Sequence, residues 1–558
     1  MPETPQLLPS INGFDKVATN GDGSTDLWFG PQKPADAPEA NWIQTVDGRN
    51  FLVALRLYGT AVEFFDQTWK PDDVVKIDVG GRALPAPTRE IIDTRIGKLT
   101  FESGYPAKET VQKLYDEMDF QRAAQAYLWG IPAVGMAEWR LAHRDIFKAK
   151  NGEMLSYLDF KEKLGILTQN YTTPYIVTLI DLQESGPIVV ELPRGLMAGM
   201  IMDAWQRVLE DLGVVGPDKG NGGKYLILPP GHEMVKPEVY YVVQSPGRAV
   251  FAGVRLLDAN KEKAIRELIP GIKTYKWPPN GTGEVMSVRP AGDLKWSQMP
   301  PRGMAYWESL NKVVQSEPVM ERDRLILAQL RFLGIEKGKP FNPDERQNKI
   351  LEEAVVVGEA MAKANTSDKR VEPPFWPGTH WKHALVVSVD QRMPGYDQLD
   401  ERAAWFYEAV AVSKGMLTQT PGVGQRYIAA YKDRDGNWLS GGNTYRLHVP
   451  ANPPAKQFWS VTAYDEGTRQ MLVTEQGRPA LSSRKEDLVK NSDGSVDVYF
   501  GPTAPQGKEA NWVQTVPGKG WFTYFRFYAP TEAFFDKSWA LPDFEKMEGS
   551  SSGGRALQ

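Results

Sequence analysis

The sequence predicts a mainly β protein with helical additions, an α+β fold in which two antiparallel β-sandwich-type domains are joined and covered by helices. Three observations predict it. Short runs rich in β-branched and aromatic residues recur at "YIVTLIDL", "PIVVEL", "KYLILPP", "VYYVVQS" and "AVFAGVRLL", and again from "QRYIAAYKD" to "QFWSVTAYD", with Gly and Pro between them. Around these groups the apolar period changes to that of a helix. One module also occurs twice: "ANWIQT" at 40–45 answers "ANWVQT" at 510–515, and "FLVALRLYGTAVEFFDQTW" at 51–69 answers "WFTYFRFYAPTEAFFDKSW" at 521–539.

Taken in order, residues 1–80 are an extra copy of the C-terminal module, read as three strands and a short helix and closed by "GGRAL" at 80–84, which recurs at 553–557. Three strands cannot bury both faces of a sheet, so Trp28, Trp42, Phe51, Leu55, Leu57 and Phe65 need a partner surface. Residues 81–150 read as a linker and a helical segment from 108 to 147, with Val111, Leu114 and Met118 on one face and Trp129 further along. Residues 151–300 form the middle sandwich. The helical block is 301–418: Asn342, Pro343 and Asp344 serve as N-cap, first-turn proline and first-turn acid. Leu351, Ala354, Val355, Gly358 and Met361 then mark an apolar face, and a second helix covers 399–416. Residues 419–547 form the C-terminal sandwich, with a hairpin at "RDGNW", and 548–558 a flexible tail.

Composition excludes several functions. The chain has 558 residues, 41% of them apolar, but no apolar run of about eighteen, so no membrane span is expected. Its net charge of −5 comes from interleaved signs, which gives nucleic acid no basic stripe to hold. No cysteine is present, which rules out disulfides, thiolate nucleophiles and zinc-thiolate or iron-sulfur sites. The start "MPETPQLLPS" lacks the charged and apolar regions of a signal peptide, so the protein is either cytoplasmic or has lost a leader.

Residues 120–545, through "DFKEKLGILTQNYTTPYIVTLIDLQESGPIVVELPRG", "MDAWQRVLEDLGVVGPDKGNGGKYLILPPG", "PGVGQRYIAAYKDRDGNWLSGGNTYRLHVP" and "FWSVTAYD", resemble a bacterial family that pairs domains of unknown function 1254 and 1214. The resemblance implies two different β-sandwiches with helical additions, in proteins often exported, and it carries no established reaction. Absence of cysteine agrees with a periplasmic or secreted location. The family's last module stands at the C-terminus, so the copy in front is a departure. It implies either an arm that docks on a sheet edge, within the chain or across a homo-oligomer, or a remnant that packs locally.

Candidate chemistry lies in four places. "QNYTTPY" and "MDAWQR" gather Asn170, Thr172, Tyr175, Asp203, Trp205 and Gln206, the amide, hydroxyl, carboxylate and indole groups of a polar ligand pocket; the same residues also cap turns. "DLGVVGPDKGNGGKY" sets Asp218, Lys219 and Lys224 in a glycine-rich loop suited to an anionic or hydroxylated ligand, or else to a plain hairpin with an Asp–Lys pair. "WPGTHWKH" offers His380 and His383 as ligands of a divalent metal if helical, while a loop running into a strand would splay them apart. Asp397, Asp400, Glu401 and Glu408 cluster near a helix start, where they suit its dipole before they suit acid–base work. The single Gly-x-Ser-x-Gly, at 549–553, reads as a chance match. The leading expectation is therefore a soluble, oligomeric protein that binds a polar small molecule or saccharide. A hydrolase or lyase using acid–base or metal chemistry, and an assembly protein linked by its repeated modules, are the alternatives.

Overall fold

The computed structural model describes residues 4–6, 10–77, 88–235, 237–258, 260–278 and 285–547, so both "GGRAL" segments, the 549–553 match and the 548–558 tail lie outside the described residues. Two compact units, Met1–Met118 and Asp119–Gln558, make up the chain. Among the described residues no helix is long and apolar enough to cross a membrane.

In the first unit the repeated module keeps its hydrogen-bond skeleton. Strands Trp28–Gly30 and Trp42–Gln44 pair in parallel, as Val496–Gly501 and Trp512–Gln514 do in the second copy. Asn41 accepts from the Ala18 amide at 2.7 Å and donates to the Ala18 and Asp26 carbonyls at 2.8 Å. Asn511 does the same for Val489 and Asp497. The third expected strand is absent: 51–59 pairs with nothing among the described residues, and the expected helix is the single turn Val62–Phe65. Its counterpart, Trp521–Pro530, is held between Gln425–Ala430 and Ala455–Asp465. No such flanking strands stand beside the first copy among the described residues. Phe51, Leu55, Leu57 and Phe65 consequently lie exposed. The presumed linker instead contains a meander, Arg89–Thr94, Gly97–Glu102 and Tyr105–Pro106. The adjacent Ile91 and Ile92 break the alternation that would have announced it.

The helix Lys108–Leu141 ends in a π turn, Ala142–Ile146. From Ala123 onward it is buried on nearly every side, with Trp129, Val134 and Trp139 in the core. Small residues admit its neighbours; a Cβ on Gly130 would meet the Tyr306 hydroxyl at 2.7 Å.

The middle sandwich pairs a six-stranded sheet, whose central strands are Met197–Asp203, Ala249–Leu256 and Tyr175–Asp181, with a five-stranded sheet around Gly223–Leu228 and Ile188–Leu192. Strand alternation sends Ile176, Ile180, Ile201 and Val250 into the space between these sheets, against Val190 and Tyr225. Val177, Leu179, Met200 and Phe251 point the other way, against Trp139 of the long helix. The C-terminal sandwich repeats this arrangement. Ile428, Phe525 and Phe527 face Leu447, Val498 and Phe500, whereas Tyr427, Tyr464, Phe522 and Tyr524 join the core that contains Trp139. Both sandwiches therefore share one large core through their outer faces, with helices filling it. The central pairs are antiparallel as expected, but edges such as Gly223–Leu228 with Tyr240–Gln244 are parallel, because the intervening chain crosses back before pairing.

Two helix limits differ from expectation. The cap of Glu345–Ser367 is Asp344, not Asn342: its carboxylate accepts from the Gln347 amide at 2.7 Å while Gln347 Oε1 accepts from the Asp344 amide at 2.9 Å. On that helix Met361 is exposed and Ala362 is buried in its place. The helix expected over 399–416 is Leu399–Glu408. Beyond it the chain extends, and the Ala411 amide donates to Gln206 Oε1 at 2.9 Å.

Candidate functional site

Within the second unit, a cavity of about 60 Å3 lies where the outer faces of the two sandwiches meet. One wall comes from the loop between Leu155–Tyr157 and Tyr175–Asp181, which contributes Ile166 to Asn170. Met200, Phe251 and Arg255 come from the six-stranded sheet, Trp405 from its helix, and Tyr427, Tyr524 and Arg526 from the C-terminal sheet. Gly199 and Gly253 leave backbone bare at the floor; a Cβ on Gly199 would meet the Gly253 carbonyl oxygen at 1.9 Å. At ~10–15 Å3 per water the space suits several waters or one small organic molecule.

Hydrogen bonds across the sandwiches hold the loop. Thr168 donates its amide to the Arg469 carbonyl at 2.8 Å. Its own carbonyl accepts from Arg526 Nη2 at 3.1 Å, and the Gln169 carbonyl accepts from the Tyr464 hydroxyl at 2.8 Å. Beneath the loop Lys163, 1% exposed, donates to the Asn170 and Thr173 carbonyls at 3.2 and 2.7 Å. The Gln169 side chain is also 1% exposed and borders the cavity, yet neither its oxygen nor its nitrogen bonds a protein group.

The charge of the lining has one sign. It contains Arg255 and Arg526 and no Asp or Glu. Arg526, 3% exposed, donates to Thr462 Oγ1, the Thr168 carbonyl and the Tyr464 hydroxyl, all neutral. Arg255 has long contacts to Gln425 Oε1 at 3.5 Å and Met416 Sδ at 3.8 Å, and lies 5.4 Å from the Tyr175 ring centre. Behind the wall the Tyr524 hydroxyl donates to Glu408 at 2.5 Å. Glu408 also accepts from Tyr431 and stands 3.8 Å from Lys369. Burial raises the Glu408 carboxyl and lowers the Lys369 ammonium.

Burial also pushes Lys163 down to about 7. An unfolded lysine titrates near about 10.4, so between about pH 7 and 10.4 the unfolded chain holds a proton that the folded chain has released. This site's contribution to stability is thus expected to rise with pH across that window, with the full penalty of the buried charge present below it. Urea midpoints measured from about pH 6 to 9.5 should show a slope that the Lys163→Met protein lacks; equal slopes would contradict it.

Of the residues singled out from sequence, Asn170, Thr172 and Tyr175 come together at the cavity's edge. The Asn170 side chain accepts from the Thr172 amide and hydroxyl at 2.7 Å and donates to the Tyr528 hydroxyl, while its amide donates to the Tyr175 hydroxyl at 2.7 Å. Asp203, Trp205 and Gln206 stand elsewhere, in a turn. Asp203 accepts from the Trp205 amide and pairs with Arg207. Trp205 packs on Trp129 at 4.3 Å, and Gln206 bonds the Pro132 carbonyl and the Ala411 amide. Asp218 accepts from the Tyr225 hydroxyl at 2.5 Å, Lys219 has φ +50°, and Lys224 lies 4.0 Å from Glu191, all outside the cavity lining. His380 bonds Asp543 at 2.9 Å, whereas His383 sits on the strand Lys382–His383 against the Phe375 ring, where burial pushes it down to about 4. Among the described residues no three His, Asp or Glu side chains gather as metal ligands. Asp397 and Asp400 pair with Arg392 and Arg370.

Sequence reasoning passed over Gln169, Arg255, Arg526, Tyr427 and Tyr524. One signal was available: a lone arginine inside an otherwise apolar strand, as in "AVFAGVRLL" and "WFTYFRFYAP".

Comparison with known proteins agrees with the partition of this cavity. The family described as "Protein of unknown function (DUF1254)" matches residues 154–276, and "Protein of unknown function (DUF1214)" matches 1–62 and 424–532. No curated protein matches the chain. Among solved structures, the VPA0106 protein from Vibrio parahaemolyticus is similar over 77% of this chain and 100% of its own, at 16% identity and a TM-score of 0.50. An uncharacterized protein from Burkholderia cenocepacia covers 78% of this chain and 97% of its own at 12% identity and a TM-score of 0.35.

Proposed function

We propose, for a chain that belongs to the proteins pairing the DUF1254 and DUF1214 domains, that it binds a small polar molecule in the cavity those two domains close together. The observation that carries this reading is Gln169. An amide buried without partners forfeits about 1–3 kcal/mol, and here Gln169 lines the cavity with neither of its polar atoms bonded to a protein group. A bound molecule that exchanges hydrogen bonds with Gln169 removes that loss. The test is a melting-temperature screen of the full chain against acetamide, glycerol, glucose and acetate, beside the Gln169→Leu variant. A ligand at about a hundred times its Kd stabilises the folded state by about 2.7 kcal/mol. The reading requires a rise that Gln169→Leu diminishes; ligand shifts unaltered in the variant would remove the cavity from consideration.

A second reading, assembly of copies through the N-terminal module, is supported by a different observation. Phe51, Leu55, Leu57 and Tyr58 are exposed, whereas Trp521, Phe525, Phe527 and Tyr528 at the matching positions are all buried. Light scattering of the full chain against Leu55→Asp combined with Leu57→Asp tests it: an oligomer that becomes a monomer supports assembly, and an unchanged mass refutes it. An exported location, suggested by the chain's lack of cysteine, is a proposal that cell fractionation decides.

A further inference from the structure

We infer that the molecule taken by this cavity is a small organic carboxylate, its oxygens held by Arg255 and Arg526 and its apolar body against Trp405, Met200 and Phe251. This rests on the cavity being a binding site, the reading given above, and adds its chemical class. A buried guanidinium ordinarily finds a carboxylate, because an uncompensated charge in a low-dielectric interior is costly. Here two guanidiniums border one cavity, both act on Tyr427, and neither forms an ion pair with any described Asp or Glu. Arg526 spends three N–H groups on neutral oxygens, out of the five that a guanidinium carries. Arg255 likewise meets neutral groups, with long contacts to Gln425 and Met416, the Tyr175 ring and the Tyr427 hydroxyl. Glu408, the acid behind the wall, is separated from the cavity by Tyr524, which takes one of its oxygens, and it lies beside Lys369.

The remaining chemistry narrows the class. A guanidinium fork matches the two oxygens of a carboxylate, and charge-assisted bonds of this kind are about twice as strong as neutral ones. A saccharide offers several hydroxyl donors that need acceptors, and the lining contains no carboxylate to accept them. Inorganic phosphate would satisfy the arginines but would leave the wall of Trp405, Met200 and Phe251 against a hydrated monoanionic or dianionic surface. A carboxylate with a short hydrocarbon body uses both halves of the site, and about 60 Å3 limits that body to a few carbons.

The experiment titrates the full chain with acetate, propionate and butyrate, with the neutral amides of the same acids, and with inorganic phosphate, following the melting temperature and tryptophan fluorescence. The same titrations are run on Arg255→Met, Arg526→Met and Gln169→Leu. Because Arg526 also ties the loop across to the C-terminal sheet, Arg255→Met is the decisive variant if Arg526→Met does not fold. Expected are binding of at least one carboxylate, binding of its amide weaker by tenfold or more, and a tenfold or greater loss in Arg255→Met. Equal binding of acid and amide that Gln169→Leu abolishes would overturn the carboxylate while leaving the binding site standing. Binding of phosphate alone would overturn it in favour of an inorganic anion. If none of the probes binds, the carboxylate is rejected, and a bound glycerol or glucose in the earlier screen would separate that outcome from failure of the site itself.

Discussion

Glu408→Ala is expected to cost about 3–5 kcal/mol of stability, the effect of breaking a buried ion pair by removing one partner. Glu408 is 1% exposed and is the common acceptor for the Tyr431 hydroxyl at 2.7 Å and the Tyr524 hydroxyl at 2.5 Å, with Lys369 at 3.8 Å. Lys369 retains the Thr366 carbonyl at 2.7 Å and Tyr431 at 3.0 Å, neither of which balances its charge. Alanine therefore leaves an ammonium and two phenols without their acceptor in the interior. Urea unfolding of the full chain measures the loss. The double variant Glu408→Leu with Lys369→Met removes both charges and should recover most of it, since a buried pair contributes little beyond an apolar replacement. A single variant with a cost below about 1 kcal/mol would show that water reaches the cluster.

Trp405→Ala is expected to cost a similar ~3–5 kcal/mol, by loss of a large buried side chain and by the void it leaves. Trp405 is 2% exposed, stacks on Tyr524 at 6.3 Å with 12° between the rings, and donates its indole N–H to the Ala411 carbonyl at 3.0 Å. It also lines the cavity, so the void opens into existing space and the surrounding sheets, tied together by hydrogen bonds, cannot close it. Addition of indole should restore part of the melting temperature to the variant and none to the parent, as an apolar cavity takes up an apolar guest. Indole without effect on either protein would place Trp405 outside the cavity wall.

The strands were legible because period-two alternation is a local property. Tyr175–Asp181, Ile188–Leu192 and Ala249–Leu256 stand where β-branched and aromatic runs put them. The doubled module was legible for the same reason, since the Asn41 and Asn511 bonds close within their own copies. What covers a strand was not legible. "FLVALRLYGT" and "WFTYFRFYAP" share a pattern, yet one is exposed along its length and the other buried at every residue, because only the second has strands on both edges. The site was hidden for a related reason. Asn170 and Thr172, close in sequence, came out together, but Asp203, Trp205 and Gln206 went to a turn of their own. Gln169, Arg255, Tyr427 and Arg526, far apart in the chain, meet only when two outer sheet faces pack. By itself the sequence determined the central strands of both sandwiches, the repeat and the α+β class, all of which follow from short-range periodicity. The tertiary structure alone decided which charges lie buried without a partner, because the partner of a side chain is set by packing across distant segments and not by its neighbours in sequence.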